Sequence, residues 1–284
     1  MVKSQGGKVV LRIEDLDSAR SKPEYVDALL RMFEETGLAY DEGPYFQSEN
    51  IDAYASIYED LSSKGMTYPC FCTRRDLAFQ SAPHGSDRIR VYDRRCKGLA
   101  PEEASRRTED LAKEGRRPAY RIETDSREIS FDDLMQGHIA RILDRDCGDF
   151  IVKRADEDFA YHLAVTADDI AQGVNLVSRG YDLLESTPQQ IYLYQLLGKK
   201  VPEYAHFPLI CAEDGRRLAK RNRDATYDSL KAYLGSPEHV IGHIAYIAGI
   251  QDDDEPATPS GLLSSFNLDG FKKDHEGMTS ITYR

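Results

Sequence analysis

Cys70-Phe71-Cys72 sets two thiols two residues apart, and Cys96 follows 24 residues later with Tyr92 four residues before it. Thiolates are soft donors that suit zinc, and a structural zinc site needs four ligands at tetrahedral angles. Three cysteines leave the set one donor short. The phenol of Tyr92, or the imidazole of His84 in the intervening APHGSDR loop, is available to complete it, and the competing reading is three buried cysteines with no metal. Cys147 and Cys211 stand alone and read as core residues. A second concentration of chemistry follows Gly215, where Arg216, Arg217, Lys220, Arg221 and Arg223 put five cations into eight residues. A basic loop of this kind suits a triphosphate or a nucleic-acid backbone, and is also found as a solvated surface run. Glu14-Asp15 and Asp168-Asp169 are paired acids suited to a site, to capping or to ion pairing. His162 reads as a packed or hydrogen-bonded histidine rather than a general base.

The elements that must position these groups alternate in type. Lys8 to Ile13 (KVVLRI) is an apolar, β-branched run ending in acids, read as an interior strand that expects a neighbour on each side. Strand ends of this kind are where α/β sites are built. Val26, Leu29, Leu30 and Phe33 recur at helical spacing behind Pro23 and Glu24, with Gly37 as the C-cap. A second helix runs through Ile51, Tyr54, Tyr58 and Leu61 to Gly65. From Cys70 to about Arg117 the pattern breaks into short cysteine-bearing pieces and a charged helical stretch, read as an insertion. Strands are expected at Ala119–Glu123 and Asp149–Val152, and Ser186-Thr187-Pro188 starts the helix QQIYLYQLLG. SLKAYLG and HVIGHIAYIAGI read as helices, and QDDDEPATPSG as a linker.

The 284 residues carry 37 Lys+Arg against 49 Asp+Glu, a net charge of −12, with 40% hydrophobic residues. That composition predicts a folded, soluble chain of one large or two small domains. The acidic balance argues against non-specific coating of nucleic acid while leaving room for a local basic patch. Apolar runs fall far short of the ~20 residues that cross a bilayer, and the first residues lack the apolar core of a signal peptide. An odd number of cysteines argues against a secreted disulfide framework. A cytoplasmic protein without a membrane partner is expected.

LRIEDLDSAR, YDEGPYFQSE, FAYHLAVTADDIAQGVNLVSRGYDLLESTPQQIYLYQLLG and DGRRLAKR, in this order, resemble the catalytic half of the glutamyl-tRNA synthetase family of class I synthetases. The resemblance runs over nearly the whole chain. The Cys-x-Cys and Tyr-x3-Cys arrangement, and a length that leaves about 60 residues after Asn222, are similar to its shortened branch, the glutamyl-queuosine tRNA(Asp) synthetases. The resemblance implies an α/β, Rossmann-like class I synthetase catalytic domain with a zinc-bearing insertion and a small helical C-terminal part. Residues 1–69 and 118–230 form the catalytic domain, 70–117 the zinc-binding insertion and 231–284 the helical part. It implies activation of L-glutamate with ATP, accompanied by Mg2+, and transfer to the queuosine base at the wobble position of tRNA(Asp), by a monomer.

The same resemblance implies a structural zinc on Cys70, Cys72, Tyr92 and Cys96. It gives Glu14 the amino group of glutamate, Tyr161 a place in the same pocket and Arg179 the side-chain carboxylate, which a planar guanidinium grips bidentately. Arg217, Leu218, Ala219, Lys220 and Arg221 occupy the class I signature loop, with Lys220 as the catalytic, ATP-binding residue. Two positions depart from the family pattern: His162 stands where an asparagine or glutamine is usual, and Ala219 replaces a serine. The family also opens with a strand, Arg-x-Ala-Pro-Ser-Pro-x-Gly and a His-x-Gly-His-like turn, and this sequence begins after those motifs. The expectation is that codons upstream of Met1 encode them. The competing readings are a fragment of a discriminating glutamyl-tRNA synthetase and an inactive relic.

Overall fold

The computed structural model describes residues 1–17, 21–73, 76, 91–212 and 226–283. Its first unit is β1 (Val10–Ile13), α1 (Pro23–Thr36) and β2 (Glu42–Phe46), with β1 and β2 paired in parallel. Pro23 and Glu24 open α1, where a missing N–H costs nothing and a carboxylate meets the positive end of the helix, and Gly37 closes it at a φ of 70°. Gly43 allows β2 to lie against β1: a Cβ there would sit 2.2 Å from the Leu11 carbonyl oxygen. The strand is shorter than Lys8 to Ile13 and, among the described residues, has one strand neighbour rather than two. Its other edge, and that of β8 (Leu176–Gly180), line the same cavity.

α2 (Ile51–Ser63) buries Tyr54 and Leu61 completely. It leads into β3 (Thr67–Cys70), which pairs antiparallel with β4 (Ala119–Ile122), and β4 pairs with β7 (Phe150–Lys153). The expected strands at Ala119 and Asp149 are therefore neighbours in one sheet, and the cysteine-bearing segment leaves and rejoins it. Within that segment α3 (Pro101–Lys113) buries none of its residues, as its charge requires. The hairpin of β5 (Glu128–Asp133) and β6 (Gly137–Ile142) carries no strong alternation, and sequence reasoning missed it. β5 joins β9 (Glu203–Phe207), and β9 pairs in parallel with β8, giving the order β6-β5-β9-β8.

Two helices cover the core side. α4 (Tyr161–Ala171) buries seven residues, including both members of Asp168-Asp169, and α5 (Thr187–Leu196) buries eight of its ten. α6 (Tyr227–Leu234) and α7 (Pro237–Ile247) match the two expected helices, and α8 (Pro259–Ser265) and α9 (Leu268–His275) follow. The stretch read as a linker is clamped: Gln251 Nε2 donates to the carbonyls of Gly242, Asp253 and Glu255 at 3.0, 2.8 and 2.9 Å. Gly242 makes room for it, since a Cβ there would meet the Glu255 oxygen at 1.9 Å. Finally β10 (Leu209–Cys211) pairs in parallel with β11 (Ser280–Thr282). Among the described residues no helix is long and apolar enough to cross a membrane.

Candidate active site and cysteine cluster

β3 ends on Cys70, and the turn after it carries Cys72 toward the segment holding Tyr92 and Cys96. The three sulfurs lie within 4.8 Å of one another. Tyr92 Oη is 3.6 Å from Cys70 Sγ and 3.5 Å from Cys72 Sγ, and Cys72 Sγ is 3.6 Å from Cys96 Sγ. Tetrahedral zinc with Zn–S bonds of ~2.3 Å has ligand–ligand edges of ~3.8 Å, so this cage has the size of a zinc site. Backbone N–H groups already point at its acceptors, Cys96 N to Tyr92 Oη at 3.2 Å and Phe71 N to Cys96 Sγ at 3.4 Å. Arg121, on β4, donates Nε to Cys70 Sγ at 3.2 Å and lies 3.8 Å above the Tyr92 ring. Burial pushes the Cys72 thiol up to about 12 and raises the Tyr92 phenol as well. Cys70 moves the other way: burial would raise it, and the Arg121 hydrogen bond together with its other partners outweighs that. His84, the other candidate for fourth donor, lies outside the described residues, while Cys147 and Cys211 are buried, as expected of core thiols.

Glu14, Tyr161 and Arg179 come from the end of β1, the start of α4 and β8, and all three line one cavity of about 930 Å³. Nearly half of the Glu14 side chain remains open to it. Withdrawal from bulk water nonetheless raises the Glu14 carboxyl above the usual carboxylate range, with Arg12 opposing and Asp169 and Asp168 adding to the shift. His162 is partly buried, its Nδ1 closed off from solvent and its ring edge-on to Phe150 at 5.3 Å; burial, then the charge of Arg179, lower it to about 4. It is a packed neutral histidine, and its Nδ1 has no hydrogen-bond partner among the described residues. Lys220 and the segment Arg217 to Arg221 lie outside the described residues.

Several residues that build the site were not singled out in the sequence. Arg12 donates Nη1 to Asp169 Oδ1 and Gln172 Oε1, both at 2.8 Å, tying β1 to α4. Asp168 accepts from Tyr54 Oη and Gln47 Nε2 at 2.8 Å and from Asn50 Nδ2 at 3.3 Å. The paired acids are thus ion-pairing residues, and Asp15 caps the turn after β2 by accepting from Ser48 N at 2.8 Å. Replacing Asp168 by alanine leaves the Tyr54 hydroxyl and the Gln47 and Asn50 amides without this partner and removes the acid 3.7 Å from Arg12 Nε. The expected cost is about 3 kcal/mol, read as a lower denaturant midpoint at unchanged slope. Arg179 is held by His206 and Thr187, and His206 by Asp133, residues separated too widely in sequence to suggest one another.

The parallel strands, the cavity along their open edges and the chain's sequence define its class. The family model for the catalytic domain of class I tRNA synthetases for E and Q matches residues 1–273. The chain belongs to that family and has its α/β catalytic fold. Within the family, its sequence is 42% identical over 273 residues to a glutamyl-Q tRNA(Asp) synthetase of Symbiobacterium thermophilum, covering 93% of this chain and 83% of that protein. The corresponding protein of Nitratidesulfovibrio vulgaris is 40% identical over 93% of this chain and 84% of its own length. A glutamate tRNA ligase from Elizabethkingia meningosepticum, solved with its amino acid, has the same fold with a TM-score of 0.76 at 23% identity. The alignment covers 99% of this chain, which spans 61% of that ligase.

Proposed function

We propose that the chain activates L-glutamate with ATP and transfers it to the queuosine base at the wobble position of tRNA(Asp). The observation that carries this reading is the convergence of Glu14, Tyr161 and Arg179 on one cavity in a chain whose relatives bear the name glutamyl-Q tRNA(Asp) synthetase. In the first step a glutamate α-carboxylate oxygen attacks the α-phosphorus of ATP, the bond to the bridging oxygen breaks and pyrophosphate leaves. No protein nucleophile is needed, so positioning and charge supply the rate. In the second, a hydroxyl of the queuosine cyclopentenediol attacks the adenylate carbonyl, AMP leaves and the hydroxyl proton goes to solvent.

Each residue has a physical part in that scheme. Glu14 offers a carboxylate whose desolvation is offset when an ammonium arrives, Arg179 offers a guanidinium for the side-chain carboxylate, and Tyr161 forms the wall between them. Lys220 would neutralise charge developing on the phosphates, with Mg2+ carried by the ATP. We assign zinc to Cys70, Cys72, Tyr92 and Cys96, where it would act as a closed structural site fixing the insertion, residues 70–117, to the sheet. The chain would act in the cytoplasm as a monomer.

The test is radiolabelled glutamate transfer to tRNA(Asp) with and without queuosine. Label retained only by queuosine-containing tRNA, and still accepted after the 3′ terminal nucleotide has been removed, is the expected result. Label that requires an intact 3′ ribose would instead identify a glutamyl-tRNA synthetase activity. That alternative receives less support, since a glutamate tRNA ligase of Geobacter sulfurreducens is 34% identical, against 42% and 40% for the two glutamyl-Q tRNA(Asp) synthetases.

A further inference from the structure

Arg179 does not stand alone in the cavity wall. Its Nε donates to His206 Nε2 at 3.0 Å, and its Nη2 donates to Thr187 Oγ1 at 2.8 Å and to the Leu183 carbonyl at 3.3 Å. Among the described residues Nη1 carries no hydrogen bond, which leaves that end of the fork for a ligand. His206 is fully buried on β9, and its Nδ1 meets Asp133 Oδ2 at 2.6 Å. An arginine Nε–H can only donate, so Nε2 of His206 must accept. The ring is therefore the neutral tautomer with its proton on Nδ1, donated to Asp133.

We propose that Asp133 and His206 are positioning residues that aim the Arg179 guanidinium and preserve its full charge for the substrate carboxylate. The proposal rests on Arg179 being the glutamate-binding residue proposed above. Its physical basis is the order of the three groups. A carboxylate bonded directly to Arg179 would orient it and also neutralise it, competing with the substrate. A neutral imidazole orients it through one hydrogen bond and places the acid one ring further away. Asp133 is itself fixed: its Oδ1 accepts from the backbone N–H of Met135 and Gln136 at 2.9 Å and of His206 at 3.1 Å. Burial would raise this carboxyl, and those bonds together with the ring hold it below the usual carboxylate range.

The three backbone donors make a discriminating experiment available. In Asp133→Asn the amide oxygen must stay where Oδ1 is, so the amide nitrogen faces His206 Nδ1, which then has to accept. The imidazole proton moves to Nε2, 3.0 Å from the Arg179 Nε–H, so donor meets donor, and the acceptor left within reach is Thr187 Oγ1 at 3.2 Å, which already accepts from Arg179 Nη2. The expected result in ATP–pyrophosphate exchange is a KM for glutamate raised about 10- to 100-fold, with kcat and the KM for ATP within about twofold. Nitrogen-15 spectra of the histidines should show the proton transferred from Nδ1 to Nε2.

A second pair of variants keeps the question open to refutation if Asp133→Asn does not fold. The oxygen of His206→Gln can take the acceptor place of Nε2, whereas His206→Asn reaches only the Nδ1 position. Glutamine should preserve the glutamate KM and asparagine should raise it, although both lose similar stability. Arg179→Met is the reference. An unchanged glutamate KM in Arg179→Met would overturn the pocket reading itself. A raised KM there with an unchanged one in Asp133→Asn, or equal values for the two His206 variants, would overturn the positioning role alone.

Discussion

Arg179→Met is expected to raise the KM for glutamate about 100- to 1000-fold and to narrow the preference for glutamate over glutamine. The range follows from removing one partner of a desolvated, hydrogen-bonded charge pair, since each ~1.4 kcal/mol lost is a factor of ten. The loss has two parts. The substrate carboxylate forfeits the charge and the free Nη1 end of the guanidinium, and it must enter a cavity whose wall also carries the acids Glu14 and Asp169. Glutamine forfeits only neutral hydrogen bonds, so its weaker binding changes less and the ratio of kcat/KM values closes from one side. Methionine keeps the apolar stem in place beside Tyr204, whose ring lies 5.6 Å from the guanidinium carbon, so the scaffold should persist. A glutamate KM within about threefold of the unaltered protein, less than ~1 kcal/mol, would show that the carboxylate is recognised elsewhere.

The Cys96→Ala protein is expected to bind zinc about two to three orders of magnitude more weakly, against one tightly held ion per unaltered chain. Structural zinc contributes ~10–16 kcal/mol of apparent binding energy, shared among four ligands, and a missing ligand opens the site to water. Metal content after dialysis against a moderate chelator reads this directly. Tyr92→Phe separates the two candidates for fourth donor: it should lower zinc occupancy while His84→Ala leaves it full. The reverse pattern would assign the fourth position to His84. Loss of the ion should loosen the insertion before the rest of the chain. Arg121 would then keep its bond to the Asp149 carbonyl at 2.8 Å but lose an anionic partner at Cys70.

The parts of this site that were legible in the sequence are those with a local signature. Paired thiols with a tyrosine at fixed offset and a strand ending in Glu14 carry their meaning within a few residues, whereas Tyr161 and Arg179 entered through the resemblance. Asp133, His206 and Arg12 have no such signature. Asp133 lies in a charged hairpin with no clear alternation, and its partner is 73 residues away. Arg12 sits inside an apolar strand, where its pairing with Asp169 depends on a helix 157 residues further on. The strand at Lys8 was read as interior from its apolar character alone. Composition reports that a strand is covered, and it cannot say whether hydrogen-bonded strands or a cavity wall do the covering.

The pairing of β10 with β11 has a consequence for the order in which the molecule is assembled. Cys211 ends β10 just before the basic stretch in the sequence, and its carbonyl accepts from Tyr283 N at 2.6 Å. Gln136 Nε2 reaches both the His206 carbonyl at 2.9 Å and the Met278 carbonyl at 3.2 Å, so the segment leading into β11 also braces the Asp133 hairpin. These contacts join segments about 70 and 140 residues apart in sequence, and such closures form late because chain entropy is lost before any bond compensates for it. On the ribosome β11 emerges after every other described element. A nascent chain can therefore complete β8, β9 and the hairpin while β10 still lacks its partner strand. Closure of the β10–β11 pair, and the bracing of the hairpin through Gln136, then follow the folding of the sheet that carries Arg179.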